Sequence, residues 1–375
     1  MERMDALKTP SNWKKVRLGD VGKPCMCKRV MKHQTTRYGE IPFYKIGTFG
    51  NTADAFISKK LFLEYKTKYS FPKKGDILIS ASGTIGRAVI YDGKPAYFQD
   101  SNIVWIDNDE TLVKNDFLFY AYSNIKWNTE HTTILRLYND NFRNTLIPLP
   151  PLNEQIAIAN ILSDVDRYLY SLDALILKKE SVKKALSFEL LSQRKRLKGF
   201  NQAWQRVRLE DICEITTGSL DANEMVHYGK YRFYTCAKEY YFIDKYAFDT
   251  EAILISGNGA YVGYVHYYKG KFNAYQRTYV LDNFSEHIIF VKYFLTIFLQ
   301  SHIQTNRNEG NTPYIVMATL KDFEILLPPL NEQIAIANIL SGLDHEITSL
   351  KNKKRQFENI KKALNHDLMS AKIRV

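Results

Sequence analysis

The chain has 375 residues, 45% hydrophobic and 13% aromatic, which suits several packed domains and excludes a disordered protein. The net charge of +12 favours polyanionic partners, either nucleic acid or an anionic membrane surface. The four cysteines and eight histidines show no zinc-ligand spacing, so we expect no metal site.

The N-terminal twenty residues lack the apolar run of a secretory signal. The most apolar segment, 288–299, is interrupted by Lys292 and is too short to span a bilayer. We therefore expect a cytoplasmic protein with no membrane segment.

The first globular segment, residues 11–147, has short alternating apolar runs between frequent turns. Residues 77–80 predict a strand, 82–86 a glycine-containing turn and 117–124 a helix. This mixture indicates an α+β domain.

A block of fifteen residues, LPPLNEQIAIANILS, occurs at 149–163 and again, letter for letter, at 327–341. The similarity continues without a gap to residue 192 in the first copy and 370 in the second. One inserted residue would rotate every later helical side chain by about 100°, so this gapless repeat predicts one long helix in each copy.

Apolar residues recur at intervals of four and three residues along both predicted helices, which is typical of a coiled coil. Asn153 and Asn331 are predicted N-caps, and Gly199 is the predicted end of the first helix. The linker at 198–203 is too short for a parallel pair, so the helices are expected to pair antiparallel.

The second globular segment, 202–325, opens like the first, with Trp204 matching Trp13. A strand at 253–256, a glycine turn at 257–263 and a helix at 287–300 follow, and Gln276 aligns with Gln99. The predicted fold is therefore α+β, with two globular domains alternating with two long helices in a pseudo-two-fold internal repeat. The expected divisions are 1–147, 148–199, 200–325 and 326–375.

Base edges are contacted mainly by Arg, Lys, Asn, Gln, Ser and Thr, and phosphates by Arg and Lys. Residues of these types in or near the glycine turns, a second polar cluster late in each domain, and one turn tyrosine are candidate DNA contacts. For each, the role of a solvated turn residue stays open. In the first domain they are Ser82, Thr84, Arg87, Gln99, Arg136, Asn139 and Arg143. In the second domain they are Asn258, Tyr261, Gln276, Arg277, Arg307 and Asn308.

A buried helix face requires only apolar residues of suitable volume, so identical polar residues on both helices indicate a surface for the same kind of partner. Helix capping after a recent duplication is the alternative explanation. The candidate docking residues are Asn153, Glu154, Gln155 and Asn160, with their twins Asn331, Glu332, Gln333 and Asn338.

No catalytic motif is convincing. Residues 311–314 (Asn-Thr-Pro-Tyr) superficially resemble the Asn-Pro-Pro-Tyr motif of adenine methyltransferases, but no glycine-rich cofactor unit accompanies them. A phosphate-binding loop of the Gly-x4-Gly-Lys-Ser/Thr form does not occur either. The chain is therefore expected to be non-catalytic.

The repeated LPPLNEQIAIA block and the Ile-Ser-Ala-Ser-Gly-Thr-Ile-Gly stretch at 79–86 make the chain similar, over essentially its whole length, to specificity subunits of Type I restriction–modification systems. The resemblance implies that each globular domain recognises one half of a split, asymmetric duplex site. It implies that the helices form the spacer and dock two methyltransferase subunits that methylate adenine, and that restriction/translocase subunits add cleavage. S-adenosylmethionine, ATP and Mg²⁺ are then expected on the partner subunits, with no cofactor in this chain.

The second domain departs from the family pattern, because Gly-Asn-Gly-Ala-Tyr at 257–261 replaces Ser-Gly-Thr-Ile-Gly and leaves its turn geometry open. The sequence also leaves two alternative interpretations of the function. A coiled-coil scaffold without sequence-specific DNA recognition would make the basic charge incidental, and a stand-alone DNA-modifying enzyme is disfavoured by the missing motifs.

Overall fold

The computed structural model describes residues 12–131, 135–306 and 313–375, which form two compact units. Unit 1 contains the described residues up to Leu172 together with Lys353–Val375, and unit 2 contains those of Asp173–Asn352. Each unit therefore includes one globular domain and a part of each long helix.

Unit 1 contains the first globular domain. Its strands are β1 (Lys14–Arg17), β2 (Gly22–Met26), β3 (Ile41–Tyr44), β4 (Phe56–Ile57), β5 (Ile77–Ser80), β6 (Ala88–Ile90), β7 (Tyr97–Phe98), β8 (Ile103–Asn108), β9 (Glu130–His131), β10 (Leu135–Arg136) and β11 (Leu146–Leu149). Its helices are α1 (Leu18–Val21), α2 (Lys59–Lys68), α3 (Asn115–Tyr122) and α4 (Asn139–Asn144), and the long helix α5 (Leu152–Leu191) follows.

Unit 2 contains the second globular domain. Its strands are β12 (Gln205–Arg208), β13 (Glu214–Thr217), β14 (Tyr231–Tyr234), β15 (Tyr241–Ile243), β16 (Phe248–Ser256), β17 (Val265–Ala274), β18 (Thr278–Asp282) and β19 (Glu324–Leu327). Its helices are α6 (Ile288–Asn306) and α7 (Met317–Lys321), and the long helix α8 (Leu330–Met369) follows.

The first domain is built on an antiparallel sheet of order β2-β8-β5-β6 and a smaller sheet of order β4-β3-β7. One cluster of buried residues joins this sheet, α3 and the two long helices, and includes Ile79, Phe117, Leu162 and Leu368. Since α5 and α8 both contribute to that core, the domain is anchored on both helices by apolar burial.

The second domain has a six-stranded sheet of order β13-β18-β16-β17-β14-β15. Its main core joins the sheet, α6 and the long helices through residues such as Ile255, Leu295, Leu340 and Leu190. Strand β19 lies directly before α8 and pairs antiparallel with β12. In the same way, β11 lies directly before α5 and pairs antiparallel with β1. The two domains thus attach to their helices in the same way.

The two long helices run antiparallel wherever they meet within a unit. In unit 1 the rings of Tyr168 and Phe357 lie 4.6 Å apart. In unit 2 Glu180 pairs with Lys351 at 2.6 Å, and Lys183 further along α5 pairs with Asp344. Residue numbers rise on α5 as they fall on α8, which confirms the predicted antiparallel pair and the α+β fold class.

Both helix ends differ from the sequence-based prediction. The carbonyl of Pro151 accepts the first helical hydrogen bond, from Gln155 N at 2.9 Å, so Asn153 lies inside the first turn and its predicted N-cap role is wrong. The same holds for Asn331, since α8 begins at Leu330. Helix α5 ends at Leu191 and not at Gly199. Just after this end, Gln193 adopts the left-handed conformation (φ 60°) that glycine usually occupies.

In the described ranges, no helix is long and apolar enough to cross a membrane. The same residues include no group of three or more His, Cys, Asp or Glu side chains placed to hold a metal ion.

Candidate functional site

Three segments of the first domain meet at the glycine turn after β5. The Ala81 N–H donates to the Asn102 carbonyl (2.7 Å), and the Leu137 N–H donates to the Ala81 carbonyl (2.9 Å). The turn closes where the Gly86 N–H donates to the Ser80 carbonyl (2.9 Å). We call residues 80–87, 99–102 and 136–137 the first junction.

Polar side chains of the first junction are bonded to one another. The Ser82 hydroxyl donates to Asn102 Oδ1 (2.7 Å), and the Arg136 guanidinium donates to the same oxygen (3.3 Å). Ser82 is only 6% exposed, so it holds Asn102 in place instead of presenting itself to a ligand. Thr84 is exposed.

Two other candidates of the first domain contact the loop after β3. The exposed Arg87 guanidinium donates to the Gly50 carbonyl (3.3 Å) and Asn51 Oδ1 (3.4 Å). Gln99 Oε1 accepts from the Ile46 N–H (2.9 Å), and this bond holds the same loop in place. Arg87 therefore offers an exposed positive charge, whereas the contact of Gln99 is a bond within the domain.

The second domain repeats this hydrogen-bond frame. The Gly257 N–H donates to the Arg277 carbonyl (2.8 Å), and the Ile315 N–H donates to the Gly257 carbonyl (2.9 Å). The turn again closes where the Gly263 N–H donates to the Ser256 carbonyl (2.7 Å). We call residues 256–264, 275–278 and 313–315 the second junction. The turn of the second junction is one residue longer than that of the first junction, and the same closing hydrogen bond still forms.

Residues that make the same backbone contact in the two junctions are counterparts, and they differ in chemistry. The pairs, first domain before second, are Ser82 and Asn258, Asn102 and Arg277, Arg136 and Tyr314, and Arg87 and Tyr264. One frame therefore carries two different sets of hydrogen-bonding side chains.

The counterpart of Gln99 is Tyr275, because these two N–H groups donate to the equivalent carbonyls of Tyr44 and Tyr234, both at 2.9 Å. The predicted alignment of Gln99 with Gln276 is therefore wrong by one residue. The prediction followed the likeness of Phe98-Gln99 to Tyr275-Gln276, whereas β7 ends at Phe98 and β17 ends at Ala274, so Gln99 and Tyr275 are the first residues after these strands.

Cations and aromatic rings surround the second junction. Gln276 and Arg277 are exposed, and Tyr261 is 43% exposed with Lys238 Nζ 5.2 Å from its ring centroid. Nearby on β14, the Arg232 guanidinium lies between two tyrosine rings, 4.3 and 4.4 Å from their centroids. Burial lowers the pKa of His266, whose ring packs on Tyr234 of strand β14, so the imidazole is neutral at pH 7.

Four candidates lie elsewhere or cannot be placed. Arg143 in α4 packs against Gly19 in α1, at the end of β8 opposite to Asn102, so the predicted grouping of Arg136 with Arg143 is wrong. Asn139 is exposed in the first turn of α4. The other two, Arg307 and Asn308, fall outside the described residues.

Sequence reasoning missed residues of both junctions. Asn102 accepts both side-chain bonds there, yet it stands in a loop without glycine, after Ser101 in a left-handed conformation (φ 53°). The available signal was the position of this loop directly before a strand, equivalent to that of Arg277. In the second junction, Tyr264 and Tyr314 were missed because tyrosine is not among the residue types that commonly contact base edges.

The repeated glutamates of the long helices are buried inside their own units. The Trp13 indole donates to Glu154 (3.0 Å), which is 7% exposed, and the Trp204 indole donates to Glu332 (3.1 Å), which is fully buried. Arg196 adds two further hydrogen bonds to Glu332, at 2.6 and 3.2 Å.

The repeated glutamines are also buried, and each joins a long helix to a domain helix. Gln155 accepts from the Lys114 N–H (2.9 Å) directly before α3, and Gln333 accepts from the His287 N–H (3.0 Å) directly before α6. Side chains that are buried and bonded within their unit cannot be contacted by another chain. Glu154, Gln155, Glu332 and Gln333 are therefore corrected from docking residues to intramolecular anchors.

The repeated asparagines remain available as docking residues. All four are exposed, and each pair lies on one helix face with two exposed apolar residues, such as Ile156 (45% exposed) and Ile334 (36% exposed). We call this the repeated helix face; it comprises Leu152, Asn153, Ile156 and Asn160 in α5, and Leu330, Asn331, Ile334 and Asn338 in α8.

Solved structures with the same fold include the S subunit of a Type I restriction–modification system from M. genitalium (TM-score 0.65, 18% identity, 96% of this chain and 97% of that chain). A structure described under complex assembly and conformational transition of the type I R-M system gives a TM-score of 0.56 at 16% identity, over 96% and 98% of the two chains. At these identities the likeness shows the fold alone.

Three similar proteins are specificity subunits of type I restriction enzymes. S.HindORF215P of Haemophilus influenzae is 64% identical over 40% of this chain and 39% of its own length. The EcoDI subunit of Escherichia coli is 37% identical over 44% and 37%, respectively, so the chain spans under half of both relatives. The MjaVIII subunit of Methanocaldococcus jannaschii is 26% identical over 100% of this chain and 96% of its own length.

The family model for the Type I restriction modification DNA specificity domain matches the chain twice, at residues 10–179 and 201–359. Each match covers one globular domain, with its junction, and a large part of the long helix that follows it. With both halves matched, the chain belongs to the family of Type I restriction modification DNA specificity proteins.

Proposed function

We propose that the chain is the non-catalytic specificity subunit of a Type I restriction–modification complex. It recognises an asymmetric, bipartite DNA duplex, one half-site with each domain, and directs adenine methylation and cleavage by its partner subunits. The observation that carries the proposal is the frame shared by the two junctions, which holds different side chains in each domain. Two related frames with different contents suit two different half-sites.

The proposal assigns a role to each part of the chain. Residues 1–147 and 200–325 are the target-recognition domains, and 148–199 and 326–375 are the spacer and docking helices. The partners are two methyltransferase subunits and restriction/translocase subunits, which bind S-adenosylmethionine, ATP and Mg²⁺. The complex works in the cytoplasm. A net charge of +12 supports contact with the phosphate backbone.

We expect Arg277→Ala to weaken binding at one half-site by about 1–3 kcal/mol and to leave the other half-site unaffected, since an arginine beside a base edge contributes specificity there. Asn102→Ala should weaken the opposite half-site. Binding is measured with duplexes in which one half-site at a time is scrambled. The site itself is first found by methylation sequencing of the host genome with and without the gene.

The matched control is Arg206→Ala, which removes an exposed arginine of β12 in the same unit, where it pairs with Glu324 of β19. It should change neither half-site. If Arg277→Ala reduces binding to specific and random duplexes equally, Arg277 contacts phosphate only. If wild-type binding to duplex hardly depends on salt, the scaffold alternative replaces the recognition proposal.

The repeated helix face is proposed as the docking surface for two copies of one methyltransferase subunit, because its exposed residues are identical in α5 and α8. We expect the double variant Ile156→Asp, Ile334→Asp to abolish co-purification of the methyltransferase, since a carboxylate in an apolar contact is costly to desolvate. Each single variant should retain one copy.

Native mass spectrometry of the co-expressed complex gives these stoichiometries. Tyr170→Asp is the control, because Tyr170 is 78% exposed in α5 outside the repeated block. Unchanged circular dichroism establishes that the variants fold. Two bound copies on the folded double variant would refute docking at this face.

A further inference from the structure

A tyrosine, an aspartate and a lysine from three different helices meet in unit 1. The Tyr120 hydroxyl of α3 donates to Asp166 Oδ2 of α5 (2.8 Å), and Lys361 Nζ of α8 pairs with Asp166 Oδ1 (2.5 Å). The Lys361 ammonium also lies 5.7 Å from the Tyr120 ring centroid. The group therefore joins the recognition domain to both long helices at one point.

Unit 2 contains the same group. The Tyr293 hydroxyl of α6 donates to Asp344 Oδ2 of α8 (2.6 Å), and Lys183 of α5 pairs with Asp344 Oδ1 and lies 5.5 Å from the Tyr293 ring centroid. Burial acts to raise the pKa of Asp344, but hydrogen bonds from Lys183 and Tyr293 hold it below its ordinary value. Asp344 is therefore charged at neutral pH.

The two copies are not identical in their surroundings. Lys292, next to Tyr293 in α6, places a second ammonium 4.4 Å from the Tyr293 ring centroid, and burial lowers its pKa. The equivalent position in α3 is Phe119. The tyrosine, aspartate and lysine are thus the shared part, and we call each set a triad.

The triads specify one register of the helix pair. The same number of residues separates Asp166 from Lys183 on α5 as separates Asp344 from Lys361 on α8. In an antiparallel pair, both aspartate–lysine contacts therefore form together in a single register. A slip by one heptad would move one helix by about 10 Å, the length of roughly three base-pair steps, and would break both.

We infer that the triads are positioning residues, which fix where each recognition domain sits on the helix pair and thereby set the spacer length between the half-sites. This inference depends on the proposed recognition of a bipartite duplex. Apolar burial alone is a weak determinant of register here, because a heptad seam presents similar apolar residues after each slip. A charged pair with a third, domain-borne partner distinguishes one register from its neighbours.

The test uses the double variant Tyr120→Phe, Tyr293→Phe, which keeps both rings and removes only the hydroxyls that bind the aspartates. The full chain, in complex with its methyltransferase subunits, methylates a library of duplexes with fixed half-sites and every spacer length. We expect methylation at spacers about three base pairs longer or shorter, the length of a one-heptad slip, to rise by about tenfold relative to the wild-type spacer, since a hydrogen bond to a charged group has about that effect.

Asp166→Asn, Asp344→Asn is a second double variant that weakens the same triads from the helix side, and it should broaden spacer choice in the same way. The control is Glu346→Gln, which removes the α5–α8 ion pair with Lys179 but touches neither domain helix. It should leave spacer choice unchanged.

The two possible failures are distinguishable. If the wild-type complex methylates no split site at all, the proposed function fails. If it methylates one spacer length, and both double variants assemble and keep that same choice at reduced or normal rate, the triads only contribute stability and the inference is overturned.

Discussion

Replacing Arg196 with methionine is expected to lower the free energy of unfolding of unit 2 by about 3–5 kcal/mol, the usual cost of leaving a buried charge without its partner. Glu332 is fully buried, and Arg196 provides two of its hydrogen bonds while the Trp204 indole provides the third. Methionine keeps the apolar stem of the arginine but leaves the carboxylate with one neutral donor. Urea unfolding followed by tryptophan fluorescence measures the loss.

The double variant Arg196→Met, Glu332→Gln is the matched control, because it removes the buried charge together with its partner. We expect it to recover part of the lost stability, since glutamine can still accept from the Trp204 indole. If the loss of unfolding free energy in the double variant equals the sum of the losses in the two single variants, the two side chains are energetically independent. The buried ion pair would then not be what stabilises this part of unit 2.

The identical repeat makes a second comparison possible. Glu154 stands at the same position as Glu332 and accepts from the Trp13 indole (3.0 Å), as Glu332 does from Trp204. Substitution of Glu154 by glutamine should therefore cost only the difference between a charged and a neutral hydrogen bond, about 1 kcal/mol. Identical residues in identical blocks are thus expected to differ in energetic importance because the residues around them differ.

This difference shows what the sequence could and could not reveal. Gapless repetition and heptad spacing were enough to predict two long helices, because both properties are periodic along one chain, and the short linker at 198–203 was enough to predict their antiparallel pairing. The partner of a buried polar side chain is a matter of tertiary structure. Identical glutamates and glutamines were therefore interpreted as a shared docking surface, although each is buried and bonded within its own unit.

The candidate site was also predicted only in part. Glycine and a preceding strand marked both turns, and Arg87, Asn258 and Arg277 do lie at the junctions. Asn102 was not found because its loop contains no glycine, and Tyr314 was not found because tyrosine is not among the residue types that commonly contact base edges. The alignment of Gln99 with Gln276 followed a local aromatic–glutamine match, and only the backbone hydrogen bonds show that Tyr275 is its counterpart.

Replacing Gly86 with alanine is expected to destroy recognition of one half-site while the other half-site is still bound. Gly86 has φ +83°, a conformation that costs an alanine about 1–2 kcal/mol. A Cβ on Gly86 would also lie 2.1 Å from Nε1 of Trp127, whose ring packs on Phe142. The rigid indole would have to move, at a further cost of about 1–3 kcal/mol typical of overpacking.

Gly83, in the same turn, separates the two effects. It also has a left-handed conformation (φ +66°), but its added Cβ would meet only Ile46, at 3.9 Å. Gly83→Ala should therefore cost the backbone strain alone, about 1–2 kcal/mol, and should keep most of the binding at the first half-site. Equal losses of binding for Gly83→Ala and Gly86→Ala would show that backbone strain, and not displacement of Trp127, controls the junction.

The second junction provides an independent repetition of this comparison. Gly259 (φ +82°) has open space around an added Cβ, whereas at Gly263 (φ +80°) the added Cβ would lie 2.5 Å from Cδ1 of the buried Ile303. It would also lie 2.6 Å from Nε2 of Gln300, which donates to the Val262 carbonyl. Gly263→Ala should break that bond and weaken the second half-site more than Gly259→Ala does. The expected loss is smaller than at Gly86, because the ends of the isoleucine and glutamine side chains move more easily than an indole ring. Binding to duplexes with each half-site scrambled in turn measures all four variants, and a Gly263→Ala variant that weakens both half-sites equally would contradict the assignment of one junction to each half-site.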